Sequence, residues 1–220
     1  MKKLFKYMFV GTLACGMLAS CAEEQLETAP TTSMSGTSLM ANGNAALVPL
    51  NGIYRSMYTA GWSTGGNTHQ CFGISAYNLM AEVMGDDLIM GAQGSGWFWF
   101  DCVYNVKGRY TSTGWRSYDL WNAYYTWISN ANYILAAEET MEGTSEERGY
   151  ALGQAYAIRA YSYYMLAQSF ARTYKGHESE ACCPIYKEPT TADTEGQPRS
   201  TVQEVYDLIV ADMDKALEYL

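Results

Sequence analysis

Histidine is almost missing from this sequence, since His69 and His177 are the only two in 220 residues. Both fall in segments predicted as loops, and no serine-nucleophile motif accompanies them. Catalytic and zinc sites need several such groups within reach of one another, and His69 with Cys71 offers only two metal ligands without a second pair. The sequence therefore disfavours an enzyme and predicts neither a metal nor a cofactor.

Basic residues are also few, because 14 Lys and Arg stand against 23 Asp and Glu, a formal net charge of -9 at pH 7. Affinity for nucleic acid depends on neutralising phosphates, so nucleic acid is not an expected partner. An acidic balance suits an exposed, soluble surface. Aromatic residues, in contrast, make up 14% of the chain, and they suit surfaces that bind ligands with an apolar face and a polar rim.

The apolar run near the N-terminus, residues 7–18, is too short to cross a bilayer, which takes about 20 residues. It follows three lysines within the first six residues, an order typical of a signal peptide. Leu18-Ala19-Ser20-Cys21 resembles a bacterial lipobox, which predicts a signal peptide over residues 1–20 and a diacylglycerol on Cys21. The alternative is ordinary secretion with an unmodified thiol. Residues 21–44 have the Thr, Ser, Ala and Gly content of a flexible tether.

Residues 45–220 are predicted as one domain of helices. Apolar periodicity predicts helices over 45–58, 75–84 and 117–137. Asn44 is the predicted cap of the first helix, Pro49 is placed in or before its first turn, and Gly85 is expected to end the second. A last helix opens with Thr201-x-x-Glu204, and its predicted inner face is Val202, Val205, Tyr206, Ile209, Met213, Ala216 and Leu217. The connection over 175–199 is predicted as a surface loop.

The helix after Gly143 is expected to organise the domain. Thr144 and Glu147 have the spacing of a capping box, and the apolar spacing that follows predicts about seven turns. Small residues such as Gly153 and Ala160 would let a neighbouring helix approach closely. Arg159 lies within the apolar stripe, where an unpaired guanidinium is costly, so it needs a carboxylate or carbonyl partner.

Asp86 and Asp87 are the predicted source of that partner. Carboxylates directly after a helix C-terminus are unfavourable unless they are paired, because the carbonyl end of the helix repels them. We therefore expect one of them to meet Arg159. A glycosidase pair is the alternative, but adjacent carboxylates do not approach one bond from two sides.

Trp97-Phe98-Trp99-Phe100 is the predicted ligand surface. An extended chain would place Trp97 and Trp99 on one face for stacking on sugars, while both phenylalanines anchor the segment. A buried strand with all four rings inside is the alternative. Trp62 and Trp115 are further stacking candidates, and Asp87, Asn105 and Arg109 are the predicted polar neighbours.

The helix over 117–137 is expected to pair antiparallel with the organising helix. Trp121, Tyr124 and Ile128 are assigned to the core, because they lie on its periodic stripe. Asn130 and Asn132 suggest buried amides that tie a neighbouring loop. Four cysteines beyond Cys21 permit disulfides in an oxidising compartment, although spacing cannot give their connectivity and adjacent cysteines rarely bridge each other; they are Cys71, Cys102, Cys182 and Cys183.

Four segments, in the same order, resemble motifs of the SusD/RagB family from about residue 47 onwards. The most specific is the G-x-A-x-x-x-R-A helix, which spans Gly153 to Ala160. Residues 171–172 and 182–183 depart from the glycines that family members tend to carry before Pro184. The four segments are Leu50-Asn51-Gly52-Ile53-Tyr54, Gly85-Asp86-Asp87, residues 121–132, and residues 153–161 with Leu166, Phe170 and Pro184-Ile185.

The resemblance implies a mainly α fold with tetratricopeptide-like helix pairs and long loops. It also implies a lipid-anchored outer-membrane protein that binds glycans and hands them to a TonB-dependent transporter. Ala22-Glu23-Glu24 resembles the tag that sends such lipoproteins to the exterior. Family members continue well beyond this length, so the chain is interpreted as an N-terminal portion.

Two other functions stay open at this point. Peptide or glycopeptide uptake would use the same architecture. A helical-repeat interaction module would use the aromatics only for packing and would bind no small ligand.

Overall fold

The structure, a computed structural model, describes residues 39–60, 70–105, 111–112 and 114–220. Its helices are α1 (Gly43–Ser56), α2 (Ile74–Glu82), the single turn α3 (Trp99–Cys102), α4 (Trp115–Leu135), α5 (Ser145–Phe170) and α6 (Val202–Tyr219). The mainly α fold class is thereby confirmed. No described helix combines the length and apolar character needed to cross a membrane. The predicted signal peptide, Cys21, Trp62, His69 and Arg109 lie outside the described residues.

Helix α5 is the centre of the domain and contacts α1, α4 and α6. It begins as predicted, because the Thr144 side chain accepts from the Glu147 amide (3.2 Å) and the Glu147 carboxylate accepts from the Thr144 amide (2.9 Å). Neighbouring helices bury it on several sides, and its predicted stripe from Leu152 to Ala167 lies inside the core.

Helices α4 and α5 run antiparallel, as predicted. Trp121, early in α4, packs edge-on against Phe170 at the end of α5, with ring centroids 4.9 Å apart. Further along α4, Asn132 meets Arg159 in the middle of α5. Tyr124 and Ile128 are buried as expected, whereas Trp121 is half-buried at the edge of the core.

Helix α6 approaches α5 closely where α5 carries glycines. A Cβ added to Gly149 would lie 2.6 Å from the backbone oxygen of Tyr219, and one added to Gly153 would lie 2.8 Å from the Leu220 side chain. The face of α6 that packs inward differs from the prediction, because Met213 and Leu217 are exposed while Leu208 and Asp212 are buried. Turning Asp212 toward α5 rotates the helix and moves those two residues outward.

The first two helices differ from their predicted ends. The Asn42 side chain, not that of Asn44, caps α1 by accepting from the Asn44 amide (2.9 Å). Pro49 therefore lies inside α1. Because proline has no backbone N–H, it donates no hydrogen bond to the Ala45 carbonyl.

Helix α2 ends at Glu82, and Gly85 follows after a turn in which its amide donates to the Glu82 carbonyl (3.0 Å). Met80 and Val83 are buried as predicted, whereas Leu79 is exposed.

The long connection after α5 is only partly a surface loop. Cys182 and Cys183 are fully buried, and their backbone pairs with Ser200 through amide-to-carbonyl bonds of 2.7 and 3.1 Å. These bonds satisfy the backbone internally, which lets the segment lie inside. None of the four described cysteines forms a disulfide, and the Sγ atoms of Cys182 and Cys183 are 3.8 Å apart.

Candidate functional site

The Arg159 guanidinium joins the three long helices. Its Nε and Nη2 donate to the two carboxylate oxygens of Asp212 (2.7 and 2.8 Å), and its Nη1 donates to the Asn132 side-chain oxygen (2.8 Å). Burial lowers the pKa of Arg159, but the bonds and charge of Asp212 raise it more, so the net shift is upward. The predicted need for a partner is confirmed.

The predicted identity of that partner was wrong. Asp86 and Asp87 are both exposed, and Asp212 of α6 holds Arg159 instead. Water solvates the two loop carboxylates at the end of α2, so they have no need of a buried cation. A sequence signal for Asp212 did exist, because it lies four residues from both Leu208 and Ala216 on the apolar stripe of α6.

Residues 184–190, which we call the docked segment, lie against α4 and α5. The Asn132 amide donates to the carbonyls of Tyr186 (2.9 Å) and Glu188 (3.0 Å), and the Tyr125 hydroxyl donates to the Pro184 carbonyl (2.7 Å). The predicted role of Asn132 as a buried amide that ties a loop is confirmed. The same prediction for Asn130 was wrong, since that side chain faces outward.

Residues 97–105, which we call the aromatic segment, are not extended. Phe98 has a left-handed backbone (φ 54°), and Trp99 begins the turn α3 directly after it. Trp97 is 42% exposed, Phe98 is buried against Phe72, and Trp99 and Phe100 are half-buried. Trp97 and Trp99 therefore do not share one face of a strand, and the alternative of four buried rings is also wrong.

A second buried ion pair supports this segment from beneath. The Arg116 guanidinium, at the start of α4, donates through Nε and Nη2 to both carboxylate oxygens of Asp101, and both side chains are buried. The Arg116 guanidinium carbon also lies 4.3 Å from the ring centroid of Trp115. Sequence reasoning missed this pair. Its local signals were that Asp101 directly follows the aromatic run and that Arg116 directly follows Trp115.

Trp115, a predicted stacking residue, is the first residue of α4. It is half-buried against the core, and the Arg116 guanidinium lies over its ring. Its role in ligand stacking stays a prediction.

The outer surface of the aromatic segment is rich in exposed apolar side chains. Trp97 (42%) and Tyr104 (64%) are the exposed rings, and the Tyr104 hydroxyl donates to the Met84 carbonyl. Asp87 and Asn105 are also exposed. Exposed apolar surface of this kind marks interaction sites. Val103 is an exposed aliphatic residue of the same segment, and Leu88 and Ile89 are exposed earlier in the chain, after α2.

One buried acid lies near this region without an arginine. The Tyr77 hydroxyl donates to the Asp119 carboxyl group (2.8 Å). Burial raises the pKa of Asp119, and the hydrogen bonds from Tyr77 and Cys71 offset that effect only in part. Nowhere in the described ranges do three or more His, Cys, Asp or Glu side chains come together as a metal site would require.

A helical scaffold that holds an exposed aromatic surface on a buried ion pair is suited to non-covalent ligand binding. A family model, SusD-like_3, "Starch-binding associating with outer membrane", matches residues 87–220. The chain belongs to this SusD-like family.

Known proteins resemble the chain in sequence and in fold. The SusD-like protein P38 of Formosa agariphila is 32% identical over 113 residues, which are 50% of this chain and 20% of that protein. A SusD-like carbohydrate binding protein from Bacteroides vulgatus superposes with a TM-score of 0.68 at 26% identity, over 82% of this chain and 36% of the other.

A more distant structure agrees in fold. A SusD superfamily protein from Bacteroides thetaiotaomicron has a TM-score of 0.59 at 22% identity, over 81% of this chain and 37% of that protein. The chain thus spans between a fifth and about two fifths of these three relatives.

Proposed function

We propose that this chain is the glycan-binding N-terminal portion of a lipoprotein on the outer surface of the outer membrane, which passes glycans to a TonB-dependent transporter without transforming them. The family description supports the ligand class and the membrane association. The predicted signal peptide, the predicted acylation of Cys21 and the part of the predicted tether that precedes the Asn42 cap of α1 would supply the anchor.

The observation that carries the proposal is the exposed aromatic segment on its buried support. A sugar ring has an apolar C–H face, which stacks on an indole or phenol while the hydroxyls at its edge stay hydrated. Trp97 and Tyr104 provide such rings, with Asp87 and Asn105 exposed nearby in sequence. Trp99 is half-buried and contributes mainly by shaping the turn.

The support beneath the rings matters as much as the rings. Because Arg116 and Asp101 bond through two parallel contacts, the turn that carries Trp97 is held before a ligand arrives. Binding then loses less conformational entropy than it would on a mobile loop.

The test is calorimetric titration of the full chain with maltoheptaose and with an uncharged peptide of similar length. We expect Trp97→Ala to weaken saccharide binding about fivefold, since an aromatic contact is worth about 1 kcal/mol and each 1.4 kcal/mol is tenfold in affinity. Tyr150→Ala, which removes an exposed ring from α5 away from both the aromatic segment and the docked segment, is the matched control. Equal affinity of Trp97→Ala and the unchanged chain, or binding of the peptide alone, would contradict the proposal.

The anchor has its own test. Mass spectrometry of the protein expressed in a Bacteroides host should find a diacylglycerol on Cys21 and no residues 1–20. An unprocessed chain in the cytoplasm would exclude the proposed location.

A further inference from the structure

A groove separate from the aromatic segment opens beside α4. Its volume is about 270 Å³. One wall is a single face of α4, made of residues at helical spacing, and the other is the docked segment. The lining residues are Trp121, Tyr125, Ile128 and Ser129 from α4, and Pro184, Tyr186 and Thr190 from the docked segment.

The groove is held open by hydrogen bonds that do not depend on a ligand. The Ser129 and Thr190 hydroxyl oxygens are 2.6 Å apart, and the Tyr125 hydroxyl donates to the Pro184 carbonyl. The Asn132 amide fixes the docked segment from behind. Both walls are therefore preorganised, which lowers the entropic cost of binding.

Three of the seven residues that line the groove are aromatic. The centroids of Trp121 and Tyr125 are 4.8 Å apart, and Tyr186 lies edge-on to Tyr125 at 6.0 Å. Arg199 lies over the Trp121 ring, 5.7 Å from its centroid, and steadies the indole. Ile128 is buried and adds an apolar surface behind the rings.

The chemistry of the lining selects among ligands. All seven lining side chains are uncharged, so none of them is a counter-ion for a carboxylate, a phosphate or an ammonium group. Arg199 lies over Trp121 at the edge of the groove, but it is exposed, and an ion pair with a solvent-exposed arginine adds at most about 1 kcal/mol. The Ser129 and Thr190 hydroxyls bond to each other, and they keep one donor and further acceptor capacity that the hydroxyls of a ligand can use. The volume is near the lower end of small-molecule pockets, which suits one or two sugar rings.

We propose that this groove is a second subsite for neutral saccharides, occupied by one or two pyranose units. The inference rests on the proposed function for its ligand class, but it uses different residues. The groove favours neutral over acidic sugars, because none of its lining side chains is charged.

The experiment reads the two sites separately. The full chain is labelled with 5-fluorotryptophan, so that its six tryptophans give separate ¹⁹F resonances, which single Trp→Phe variants assign. Maltoheptaose, cellohexaose and mannohexaose are titrated in turn, with polygalacturonate oligomers as the acidic comparison. We expect a neutral saccharide to shift the Trp121 resonance saturably, while the fully buried Trp127 stays unchanged.

Two variants test the groove itself. Ser129→Phe fills it and should weaken the Trp121 response at least tenfold. Thr190→Val keeps the shape but removes a hydroxyl, and we expect a loss of about fivefold. Asn130→Phe, exposed on the same helix outside the groove, is the matched control and should bind normally. Thermal unfolding confirms that each variant is folded.

Each outcome decides the proposal. If Trp121 responds and Ser129→Phe abolishes the response, the subsite is established, even if the Trp97 resonance does not move and the proposed role of the aromatic segment fails. If only Trp97 responds, the groove is not a subsite, whereas the proposed function stands. If neither resonance responds to any neutral saccharide, or if the acidic oligomers bind Trp121 more tightly, the inference is wrong.

Discussion

Two buried arginine–aspartate pairs do different work in this molecule. Arg159 and Asp212 are 53 residues apart in sequence, and the pair joins α5 to α6 while Arg159 also bonds to Asn132 of α4 and to the Lys187 carbonyl. Arg116 and Asp101 are only 15 apart, and they tie one short turn to the start of α4. The first pair is embedded among three long helices, whereas the second supports an exposed aromatic surface.

The comparison shows that similar chemistry serves packing in one place and positioning in another. A buried ion pair adds little net stability over apolar residues of similar volume, but the loss of one partner leaves a buried charge unsatisfied. The cost of that loss depends on whether the surroundings can open to water. Helices packed on several sides cannot open, whereas a single turn at the surface can.

The largest effect is expected at the embedded pair. Asp212→Ala should lower the free energy of unfolding by about 3–5 kcal/mol, because Arg159 would stay buried without its carboxylate. Urea unfolding measures the loss. Arg172→Met, which removes a solvent-exposed partner of Glu180, is the control and should cost less than about 1 kcal/mol.

A double variant sharpens this prediction. Arg159→Met combined with Asp212→Leu removes both charges and should be more stable than Asp212→Ala alone. Strictly additive losses in the corresponding double-mutant cycle would show that the two side chains do not act as a pair.

A smaller and more local effect is expected at the surface pair. Asp101→Ala should cost about 2 kcal/mol or less of global stability, because the turn can open and let water reach Arg116. Hydrogen exchange should accelerate over residues 97–105, and saccharide binding at Trp97 should weaken. If hydrogen exchange accelerated equally throughout α5 and α6, the comparison would fail. The pair of Arg116 and Asp101 would then stabilise the whole domain, as the pair of Arg159 and Asp212 is expected to do.

The smallest effect concerns Asp119, a buried acid held by the Tyr77 hydroxyl in place of an arginine. Burial raises its pKa above the value of about 3.9 for an unfolded aspartate. Between these two pKa values the folded chain keeps a proton that the unfolded chain has released, so stability should fall as pH rises through that window.

Asp119→Asn is the check, because it cannot titrate. Urea unfolding from pH 4 to pH 7 should show that the unchanged chain loses stability relative to the variant as pH rises. An opposite slope would mean that the folded protein stabilises the carboxylate of Asp119 and not its protonated form.

Much of the fold could be predicted from local patterns. The capping box of Thr144 and Glu147 and that of Thr201 and Glu204 both form, because each needs only residues three positions apart. The antiparallel pairing of α4 and α5 and the tie made by Asn132 also agree with helical periodicity. The family resemblance was correct for the same reason, since its motifs are short and local.

The candidate site could be predicted only in part. Trp97 is exposed and Phe98 is buried as expected, but the backbone between them turns. The left-handed backbone of Phe98 and the bond between Asp101 and Arg116 produce this turn. The alternation of four aromatic residues gives no sign of either feature. The groove beside α4 was missed because one wall comes from a loop 50 or more residues away in sequence.

Local patterns in the amino-acid chain were enough to establish where α5 and α6 begin, which residues line the inner faces of the long helices in broad terms, and that Arg159 must have a partner. These properties depend on side chains within a turn or two of each other. The choice of Asp212 as that partner, in place of Asp86 or Asp87, and the outward orientation of Met213 and Leu217 came from tertiary packing alone. The physical reason is that rotation of α6 about its axis is set by contacts with α5, and a long-range choice among several carboxylates leaves no mark on local spacing.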